Sequence, residues 1–425
     1  MLTQEEFRKM PIFITTMSRW DGEISSASLA LAKVFSASNH VYYIDFPYTL
    51  KSLWQERRLA SVRKRLPALL FGKNYLTPIP NQSEKLVAAT PGVMLPAGSL
   101  PEGMLNTVFT KINNFILARL VKRILKEKKI KHYLMLNSFN PFYLSDLTNY
   151  LNPTYSVYQS RDNIEAIKAT GTTKENECTR NYNLVLATSN WLSKHIARRS
   201  GKNVAFFPNG ADVSLFKSAM KNEYPKPIEL QNITTPIIGY TGAVCQRIDY
   251  PLLEKLAKAN PDKTLVLVGP RKNDLYSSVD LNAIPNIVFT GPKTIDELPA
   301  YLQYFDCTII PFVYNNFTAG IYPLKINEYL AAGKPVVTTN FSEDIASFGE
   351  SVYLSATHED FIGNVSRAIE KNNEAIANER TKVASENDWT RRVEYFWDMA
   401  WTSYVAANQP AYVQERRLLE VHDLY

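Results

Sequence analysis

The chain has 425 residues, of which 45% are hydrophobic, 21% charged and 12% aromatic; this ordinary globular composition excludes a disordered, collagen-like or coiled-coil chain. The formal net charge of +7 is unevenly divided, because residues 1–212 carry +13 and the remainder carries −6. The basic half favours an anionic partner such as phospholipid or nucleic acid, and the contrast predicts two domains with different partners.

Targeting and redox features are scarce. No run approaches about 18 consecutive apolar residues, so no membrane-spanning helix is expected. Residues 1–19 lack the apolar region and cleavage site of a signal peptide. The three cysteines, Cys178, Cys245 and Cys307, are far apart and show neither metal-ligand spacing nor a disulfide framework. We therefore expect a reduced, cytoplasmic compartment.

Short apolar strands alternate with helical stretches through both halves of the chain. The predicted strands are 11–17, 40–46, 132–136, 155–158 and 183–187 in the first half, and 236–240, 264–268, 286–290, 307–311 and 335–338 in the second. This alternation is typical of βαβ units and a parallel sheet. The sequence predicts an α/β protein with two doubly wound, Rossmann-like domains that face a cleft. Ligands should bind at the carboxyl ends of the strands.

The segment 305–337, FDCTIIPFVYNNFTAGIYPLKINEYLAAGKPVV, is the most informative part of the sequence. A strand ends at Pro311, and a helix should begin near Pro323 and end at Gly333. A loop leading into a helix N-terminus presents backbone N–H groups to an anion, and Gly320 lets the anion approach closely.

Two charged residues follow this loop at helical spacing. Lys325 lies in the first turn, where its charge could reach a diphosphate. Glu328 follows three residues later and could accept two hydroxyl protons, as ribose recognition requires. Spacing alone leaves an alternative open, in which Lys325 and Glu328 form a solvated pair on an amphipathic helix.

Five segments occur in an order that can be compared with known families. They are FPNGAD at 207–212, IGYTGA at 238–243 with Arg247 and Asp249, VLVGP at 266–270, FTGPK at 289–293 with ELP at 297–299, and EYLAAGKPVV at 328–337. Together they resemble the motifs of GT-B glycosyltransferases of family 4, the "group 1" type, of the bacterial exopolysaccharide or cell-surface glycan kind. The resemblance covers about residues 183–400 well and the first 180 residues only by pattern.

The resemblance implies a GT-B fold and a division of labour between domains. Residues 1–215 would form the acceptor-binding domain, 233–388 the nucleotide-sugar-binding domain, and 389–425 a helix and tail that pack back towards the first domain. The implied enzyme is a hexosyltransferase that moves a sugar from a nucleoside-diphosphate sugar, of UDP or GDP type, to a hydroxyl of a cell-surface polysaccharide or lipid-linked glycan. No cofactor or metal is expected. The alternatives are a non-catalytic GT-B partner subunit and a GT-B sugar-nucleotide epimerase.

One position departs from the family pattern. Family members usually carry a glutamate where this chain has Gly320, and that carboxylate contacts the donor sugar. Its absence leaves sugar contacts to backbone groups of Thr318, Ala319, Gly320 and Ile321. The identity of the donor and the stereochemical course therefore stay open.

The chemistry of the implied reaction suggests roles in the nucleotide domain. Arg247 and Lys325 would stabilise the charge that grows on the diphosphate leaving group. Glu328 would bind the ribose, and the loop of Gly291 and Lys293 would hold the base.

The acceptor side is expected in the first domain. Asp162 follows a strand and is the candidate general base, the alternative being that it caps a helix that begins at Asn163. Asp21, Gly22, Asn137 and Asn140 follow other strands on the same side and should shape the acceptor site.

Two basic stretches of the first half suggest a membrane surface. Residues 50–71 interleave six basic residues with large apolar ones, and residues 111–131 hold eight basic residues against one acid. The first stretch favours peripheral binding to an anionic membrane, on the inner face of the plasma membrane. For the second, packing of the apolar stripe Ile112, Phe115, Ile116, Leu120 and Ile124 on the sheet is the favoured reading. Nucleic acid is not expected, since no recognised binding module is present.

Overall fold

The computed structural model describes residues 1–22, 26–101, 103–167, 171–272 and 279–408. Within this part the chain divides into two compact units: an N-terminal unit of residues 1–188, 192–207 and 393–408, and a C-terminal unit of residues 189–191 and 208–392. The division assigns residues 208–215, predicted with the first domain, to the C-terminal unit. Each unit is built on one mostly parallel sheet, so the predicted α/β class with two doubly wound domains is confirmed.

The N-terminal sheet has the strand order β3-β4-β2-β1-β5-β6-β7-β8. Its pairs are parallel except that β3 runs antiparallel to β4. The strands are β1 Ile12–Thr16, β2 Val41–Ile44, β3 Leu76–Pro78, β4 Leu86–Ala89, β5 Leu134–Ser138, β6 Tyr155–Ser160, β7 Leu184–Ala187 and β8 Ala205–Phe206.

The C-terminal sheet has the order β11-β10-β9-β12-β13-β14, and its pairs are all parallel within the described residues. The strands are β9 Ile237–Thr241, β10 Thr264–Val268, β11 Ile287–Gly291, β12 Cys307–Ile310, β13 Val336–Thr339 and β14 Tyr353–Ser355. All ten predicted strands are present. The four that the prediction missed, β3, β4, β8 and β14, have only two to four residues each, which is too short to show a hydrophobic period.

Helices connect the strands of both sheets. They are α1 Gln4–Arg8, α2 Ala27–Phe35, α3 Leu50–Glu56, α4 Ala60–Phe71, α5 Met104–Glu127, α6 Ile164–Ile167, α7 Gly171–Asn181, α8 Asn190–Ser200, α9 Val213–Lys217, α10 Tyr250–Ala259, α11 Leu298–Gln303, α12 Asn316–Ala319, α13 Leu324–Ala331, α14 His358–Glu370, α15 Glu374–Ser385 and α16 Trp389–Asn408. None of the helices in the described ranges is both long enough and apolar enough to cross a membrane.

The last helix contributes to the core of the N-terminal unit. On α16, Phe396 lies edge-on to Phe35, with ring centroids 5.0 Å apart, and Trp397 lies 5.9 Å from Phe7. Phe396 and Phe7 are fully buried. Aromatic burial of this kind stabilises a fold strongly, so α16 is part of this core.

The helix α5 only partly follows its predicted packing. Its second half is buried through Leu117, Leu120, Val121 and Ile124. In contrast, Ile112 and Phe115, which were expected to pack on the sheet, are exposed. The expectation is therefore wrong for the first half of the helix, because helical spacing shows that residues share a face but not what covers it.

The order of strands fixes where loops converge. In each sheet the chain reverses its direction of winding between two central neighbours, β1 and β5 in the N-terminal unit and β9 and β12 in the C-terminal unit. Connections leave these neighbours on opposite faces, and a crevice opens outside their carboxyl ends. The loops after β9 and β12 hold Arg247 and residues 318–321, and the loops after β1 and β5 hold Asp21, Gly22 and Asn140.

Candidate functional site

Backbone hydrogen bonds join the loops after β9 and β12. The Val313 N–H donates to the Arg247 carbonyl oxygen at 2.8 Å, and the Asp249 N–H donates to the Pro311 carbonyl oxygen at 2.8 Å. Asp249 also caps α10 by accepting from the Leu252 N–H at 2.9 Å, and it lies 2.8 Å from His358 Nε2. These contacts hold Arg247 beside the loop that leads into α13.

A tyrosine fixes α13 against the end of β9. The Tyr329 hydroxyl accepts a hydrogen bond from the Thr241 N–H at 2.9 Å, and both residues are buried. Because Lys325 lies one turn earlier on the same face, this bond places its side chain over the next residue, Gly242. A Cβ atom at Gly242 would lie 2.5 Å from Lys325 Cε and 2.7 Å from Nζ. Only glycine therefore leaves room for the ammonium group.

Lys325 and Glu328 are charged groups without a hydrogen-bonded partner in the described part of the chain. The Glu328 side chain is 8% exposed, and no ion pair joins it to Lys325. Burial raises the pKa of Glu328, and the nearby Lys325 charge only partly opposes this. Burial lowers the pKa of Lys325; Glu328 opposes the change and Arg247 adds to it. A solvated surface pair does not fit the structure, because Glu328 is buried and Lys325 is only partly exposed.

Arg247 completes a cationic cluster. Its guanidinium lies 5.1 Å from the centroid of the Phe317 ring, and none of the described carboxylates is within ion-pair distance of it. The positive charge of Arg247 helps to lower the pKa of Lys325, and two such cations beside the backbone of a glycine form a site that an anion would stabilise.

Of the backbone candidates, Thr318, Ala319 and Gly320 are buried and Ile321 is partly exposed, and hydrogen bonds hold the segment in place. The Thr318 hydroxyl donates to the Val313 carbonyl oxygen at 2.5 Å, and the Ile321 N–H donates to the Thr318 oxygen at 2.9 Å. The Gly320 carbonyl accepts from the Ser189 hydroxyl at 3.0 Å. Gly320 has φ −79°, so its backbone does not itself require glycine. Ala319 is 9% exposed.

The loop after β11 contains Gly291 and Lys293. Gly291 has φ +75° and open space around its α-carbon, so its backbone is accessible. Lys293 Nζ lies 2.6 Å from Glu229 Oε1, and the Tyr301 hydroxyl donates to the other oxygen of Glu229 at 2.7 Å. These bonds raise the pKa of Lys293 and tie its side chain to residues 228–230. Lys293 thus anchors its loop.

The N-terminal candidates lie at the carboxyl ends of their own sheet. Asp21 binds Arg65 through both carboxylate oxygens, at 2.7 and 2.8 Å. Asn137 donates to the Asn140 carbonyl oxygen at 3.0 Å, Asn140 donates to the Thr16 carbonyl oxygen at 2.9 Å, and both asparagines are buried. The side-chain amides of Asn137 and Asn140 therefore brace the loop after β5. Gly22 closes the turn after β1 through its N–H and the Arg19 oxygen.

Asp162 lies in the short connection between β6 and α6, partly exposed. The neighbouring Asn163 accepts from the N–H of Glu165 at 3.1 Å, and α6 begins at Ile164. The role of Asp162 as general base stays a prediction.

Comparison with known proteins locates a family in the C-terminal unit. Residues 235–371 match the family described as "Glycosyl transferases group 1". These residues contain β9 to β14 and include Gly242, Arg247, Lys325 and Glu328. Residues 235–371 are a group 1 glycosyl transferase domain. The family resemblance drawn from the sequence is therefore confirmed.

A relative of this chain is TuaH of Bacillus subtilis (strain 168), which is named for a glycosyltransferase role in teichuronic acid biosynthesis. It is 30% identical over 213 residues, which are 48% of this chain and 53% of TuaH. The chain thus spans about half the length of the curated relative that it matches.

Solved structures confirm the GT-B fold of the chain. Sucrose-phosphate synthase from Thermosynechococcus elongatus has a TM-score of 0.63 at 14% identity, over 94% of this chain and 100% of that structure. HepE from Anabaena, solved in complex with UDP and glucose, has a TM-score of 0.61 at 16% identity, over 92% and 100%. An E. coli trehalose-6-phosphate protein bound to UDP-2-fluoro glucose has a TM-score of 0.62 at 10% identity, over 92% and 98%.

The sequence did not predict some residues of the candidate site in the C-terminal unit. Gly242 and Tyr329 both lie inside quoted motifs, but nothing in their spacing showed that they position Lys325. His358 and Ser189 are remote in sequence and gave no signal. The structure brings Gly242, Arg247, Lys325 and Glu328 together in the C-terminal unit, whereas Lys293 is bound elsewhere in that unit.

Proposed function

We propose that this chain is a metal-independent glycosyltransferase of the hexosyltransferase type. It moves a sugar from a nucleoside-diphosphate sugar, of UDP or GDP type, to a hydroxyl of a cell-surface polysaccharide or lipid-linked glycan. The main support is the pair of Lys325, which is partly exposed, and Glu328, which is buried; neither side chain has a hydrogen-bonded partner among the described residues, and both lie at the sheet position where nucleotides bind in doubly wound folds. The UDP complex of HepE and the teichuronic acid role of TuaH agree with this proposal.

The chemistry of the leaving group explains the cations. As the bond to the sugar breaks, negative charge grows on the diphosphate oxygens. Lys325 and Arg247 stabilise that charge without needing to reorganise, since they are already held in place by Gly242 and by the loop after β12. The diphosphate in turn supplies the counter-charge that the free protein lacks.

Glu328 supports binding of the ribose. An ionised carboxylate accepts two hydrogen bonds from the paired hydroxyls of a ribose ring, and its burial strengthens them. In the N-terminal unit, Asp162 is the candidate base for the acceptor hydroxyl, and Asp21, Gly22, Asn137 and Asn140 shape the acceptor loops. Backbone groups at 318–321 remain the candidates for contacts with the donor sugar.

The proposal is tested in two steps. Thermal unfolding is measured with UDP, GDP and ADP, and at least one nucleotide should raise the melting temperature. Nucleotide release from a matching donor should then require an acceptor glycan and persist in EDTA. If no nucleotide raises the melting temperature, both the glycosyltransferase and the epimerase hypotheses are contradicted. Turnover of the donor without acceptor would favour an epimerase. Nucleotide binding without any turnover would favour a partner subunit.

Arg247→Ala should weaken nucleotide binding. Loss of one charge-assisted hydrogen bond to phosphate costs roughly 1–3 kcal/mol, or about tenfold to a hundredfold in the dissociation constant. Isothermal titration calorimetry measures the change. Lys255→Ala serves as the matched control, because Lys255 is an exposed cation on α10 of the same unit. Equal affinities for the two variants would show that Arg247 does not contact the phosphates.

Nucleotide affinity should depend on pH through Glu328. Ribose binding needs the ionised carboxylate, and burial raises the pKa of Glu328, so affinity should fall as the pH drops through that raised pKa. The phosphates of the ligand titrate identically with every variant. The difference between wild type and Glu328→Gln therefore isolates the carboxylate, and it should shrink at acid pH. A constant difference across the pH range would count against the ribose assignment.

Peripheral attachment to the inner face of the plasma membrane completes the proposal. Residues 50–71 form α3 and α4, and each basic residue near an anionic leaflet contributes about 1 kcal/mol. Liposome co-sedimentation should show binding to anionic vesicles that weakens with salt. Replacement of Arg57, Arg58, Arg63 and Lys64 by Gln should reduce it. Equal recovery on neutral and anionic vesicles would rule the attachment out.

A further inference from the structure

The helices α3 and α4 expose a row of large apolar side chains, which we call the hairpin surface. Their exposed fractions are 64% for Leu50, 67% for Trp54, 52% for Leu59, 36% for Leu66, 58% for Leu70 and 74% for Phe71. Leu50 and Trp54 lie four residues apart on α3, and Leu66 and Leu70 lie four residues apart on α4, so each pair shares one face of its helix. Contiguous exposed apolar surface on a folded protein marks an interaction site.

The charges around the hairpin surface indicate its partner. Lys51, Arg57, Arg58, Arg63 and Lys64 are interleaved with the apolar residues, against the single acid Glu56 in residues 50–71. A basic and apolar helical surface matches an anionic lipid leaflet, in which apolar groups enter the acyl boundary and cations meet the headgroups. The surface is therefore complementary in charge to phospholipid.

The buried side of the hairpin is bound to the loop after β1, residues 17–22. Arg65 on α4 is 4% exposed, and its two Nη atoms hold both carboxylate oxygens of Asp21 at 2.7 and 2.8 Å. The same guanidinium binds Asp45 through Nε at 3.0 Å, which anchors it to the end of β2. A bidentate pair fixes direction as well as distance, so the position of α4 determines that of Asp21.

A second ion pair binds the same loop to α3. Arg19 Nη1 lies 2.9 Å from Glu56 Oε2, and Arg19 Nε donates to the Phe46 carbonyl oxygen at 3.1 Å. The Arg19 guanidinium also lies 3.5 Å from the centroid of the Tyr48 ring. Both helices of the hairpin are thus joined to residues 17–22 on the side opposite the hairpin surface.

We propose that docking of the hairpin surface on an anionic lipid leaflet orders residues 17–22 through the pairs Arg65–Asp21 and Arg19–Glu56. The loop is then held for an acceptor more firmly on the membrane than in solution. This deepens the proposed function, on which the acceptor role of the loop rests. Asp21, Arg19, Arg65 and Glu56 are positioning residues in this account.

The physical basis is the coupling of two motions. In solution no described residue covers the exposed side of the two helices, so the helices and the loop that is paired to them can shift together. A lipid surface removes the freedom of the two helices, and the loop bound to them loses freedom at the same time. The order of the loop should therefore report membrane binding.

Hydrogen–deuterium exchange of the full chain measures this order without donor or acceptor. With vesicles of phosphatidylglycerol and phosphatidylcholine, backbone amides of residues 17–22 should exchange roughly three- to fivefold more slowly than with phosphatidylcholine alone, the scale that one partly exposed ion pair supports. Unchanged exchange of these residues on vesicles that do bind the protein would overturn the proposal. Absence of binding to the anionic vesicles would overturn it too, and would assign the hairpin surface to a protein partner.

Two variants separate docking from coupling. Asp21→Asn with Glu56→Gln breaks both pairs but leaves Arg65 bound to Asp45, so vesicle binding should persist while the protection of residues 17–22 disappears. Trp54→Ser with Phe71→Ser should lose vesicle binding itself. Ile228→Ser is the control, since Ile228 is 72% exposed in the C-terminal unit, and it should behave as wild type. If residues 17–22 of the Asp21→Asn and Glu56→Gln variant are still fully protected from exchange on anionic vesicles, the two ion pairs do not couple the loop to membrane binding.

The outcomes for the two proposals are independent. The thermal response to nucleotide concerns the C-terminal site and tests the transferase, whereas exchange on vesicles concerns residues 17–22. If nucleotide has no effect but the loop is protected on anionic vesicles, the transferase fails and the coupling stands. In the opposite case the coupling fails alone.

Discussion

Replacing Glu328 by Gln is expected to make the free protein more stable and its nucleotide complex weaker. Burial raises the pKa of Glu328 in the folded chain, so its ionised form costs folding free energy at neutral pH. The neutral amide avoids this cost. The gain should be present at neutral pH and vanish as the pH falls below the ordinary pKa of a glutamate, where the carboxyl is protonated in both states.

Calorimetric scans with and without nucleotide measure both effects. The melting temperature of the free variant should rise by roughly 2–4 °C for each kcal/mol gained, whereas the nucleotide affinity should fall about tenfold or more. Binding of inorganic diphosphate should be almost unaffected, because it lacks the ribose. Lys325→Met should stabilise the free protein for the same reason and should weaken the binding of diphosphate as well.

Glu370→Gln is the matched control for Glu328→Gln, since Glu370 is an exposed glutamate at the end of α14. It should change neither stability nor affinity. A Glu328→Gln protein that is less stable than wild type, with unchanged nucleotide affinity, would show that Glu328 stabilises the fold and does not bind a ligand.

Gly242→Ala is expected to abolish tight nucleotide binding. The new methyl group would lie 2.5 Å from Lys325 Cε and 3.0 Å from the Tyr240 hydroxyl, so the ammonium must leave its position. The φ angle of +136° adds backbone strain of about 1–3 kcal/mol. Displacement of the cation should weaken diphosphate binding by roughly tenfold or more.

Gly349→Ala is the control that separates backbone strain at positive φ from displacement of the Lys325 side chain. Gly349 also has a positive φ, +52°, but a Cβ atom there would meet nothing within 4 Å. Both variants should lose stability in thermal unfolding, and only Gly242→Ala should lose affinity in calorimetric titration. If the two variants bind nucleotide with equal affinity, the position of Lys325 over Gly242 does not contribute to nucleotide binding.

Much of the fold could be predicted because its signals are local. The strands 12–16 and 264–268 are short apolar runs between polar turns, and such runs fix a buried strand by themselves. The helix at 324–331 is marked at both ends, by Pro323 and Gly333. The missed strands β8 and β14 are held by pairing with a neighbour that is distant in sequence, so no local pattern marks them.

In the candidate site, too, local features could be predicted from the sequence and features set by tertiary packing could not. The spacing of Lys325 and Glu328 was sufficient to place them one turn apart on a helix. Spacing could not show whether the two charges are solvated or buried, since that depends on β9 and the loops packed around them. Likewise, Asp21 and Lys293 are polar residues after strands, and only the structure reveals that Arg65 and Glu229 bind them.

By itself the sequence determined the α/β class, the two Rossmann-like halves, the group 1 motifs and the helix that carries Lys325 and Glu328, because each depends on residues close together in the chain. Tertiary structure alone decided which charges are unpaired, that Gly242 makes room for Lys325, that the first half of α5 is exposed, and that the hairpin is bound to residues 17–22. These properties arise between residues far apart in sequence. Burial and pairing are set by what packs around a side chain, and no local pattern encodes that environment.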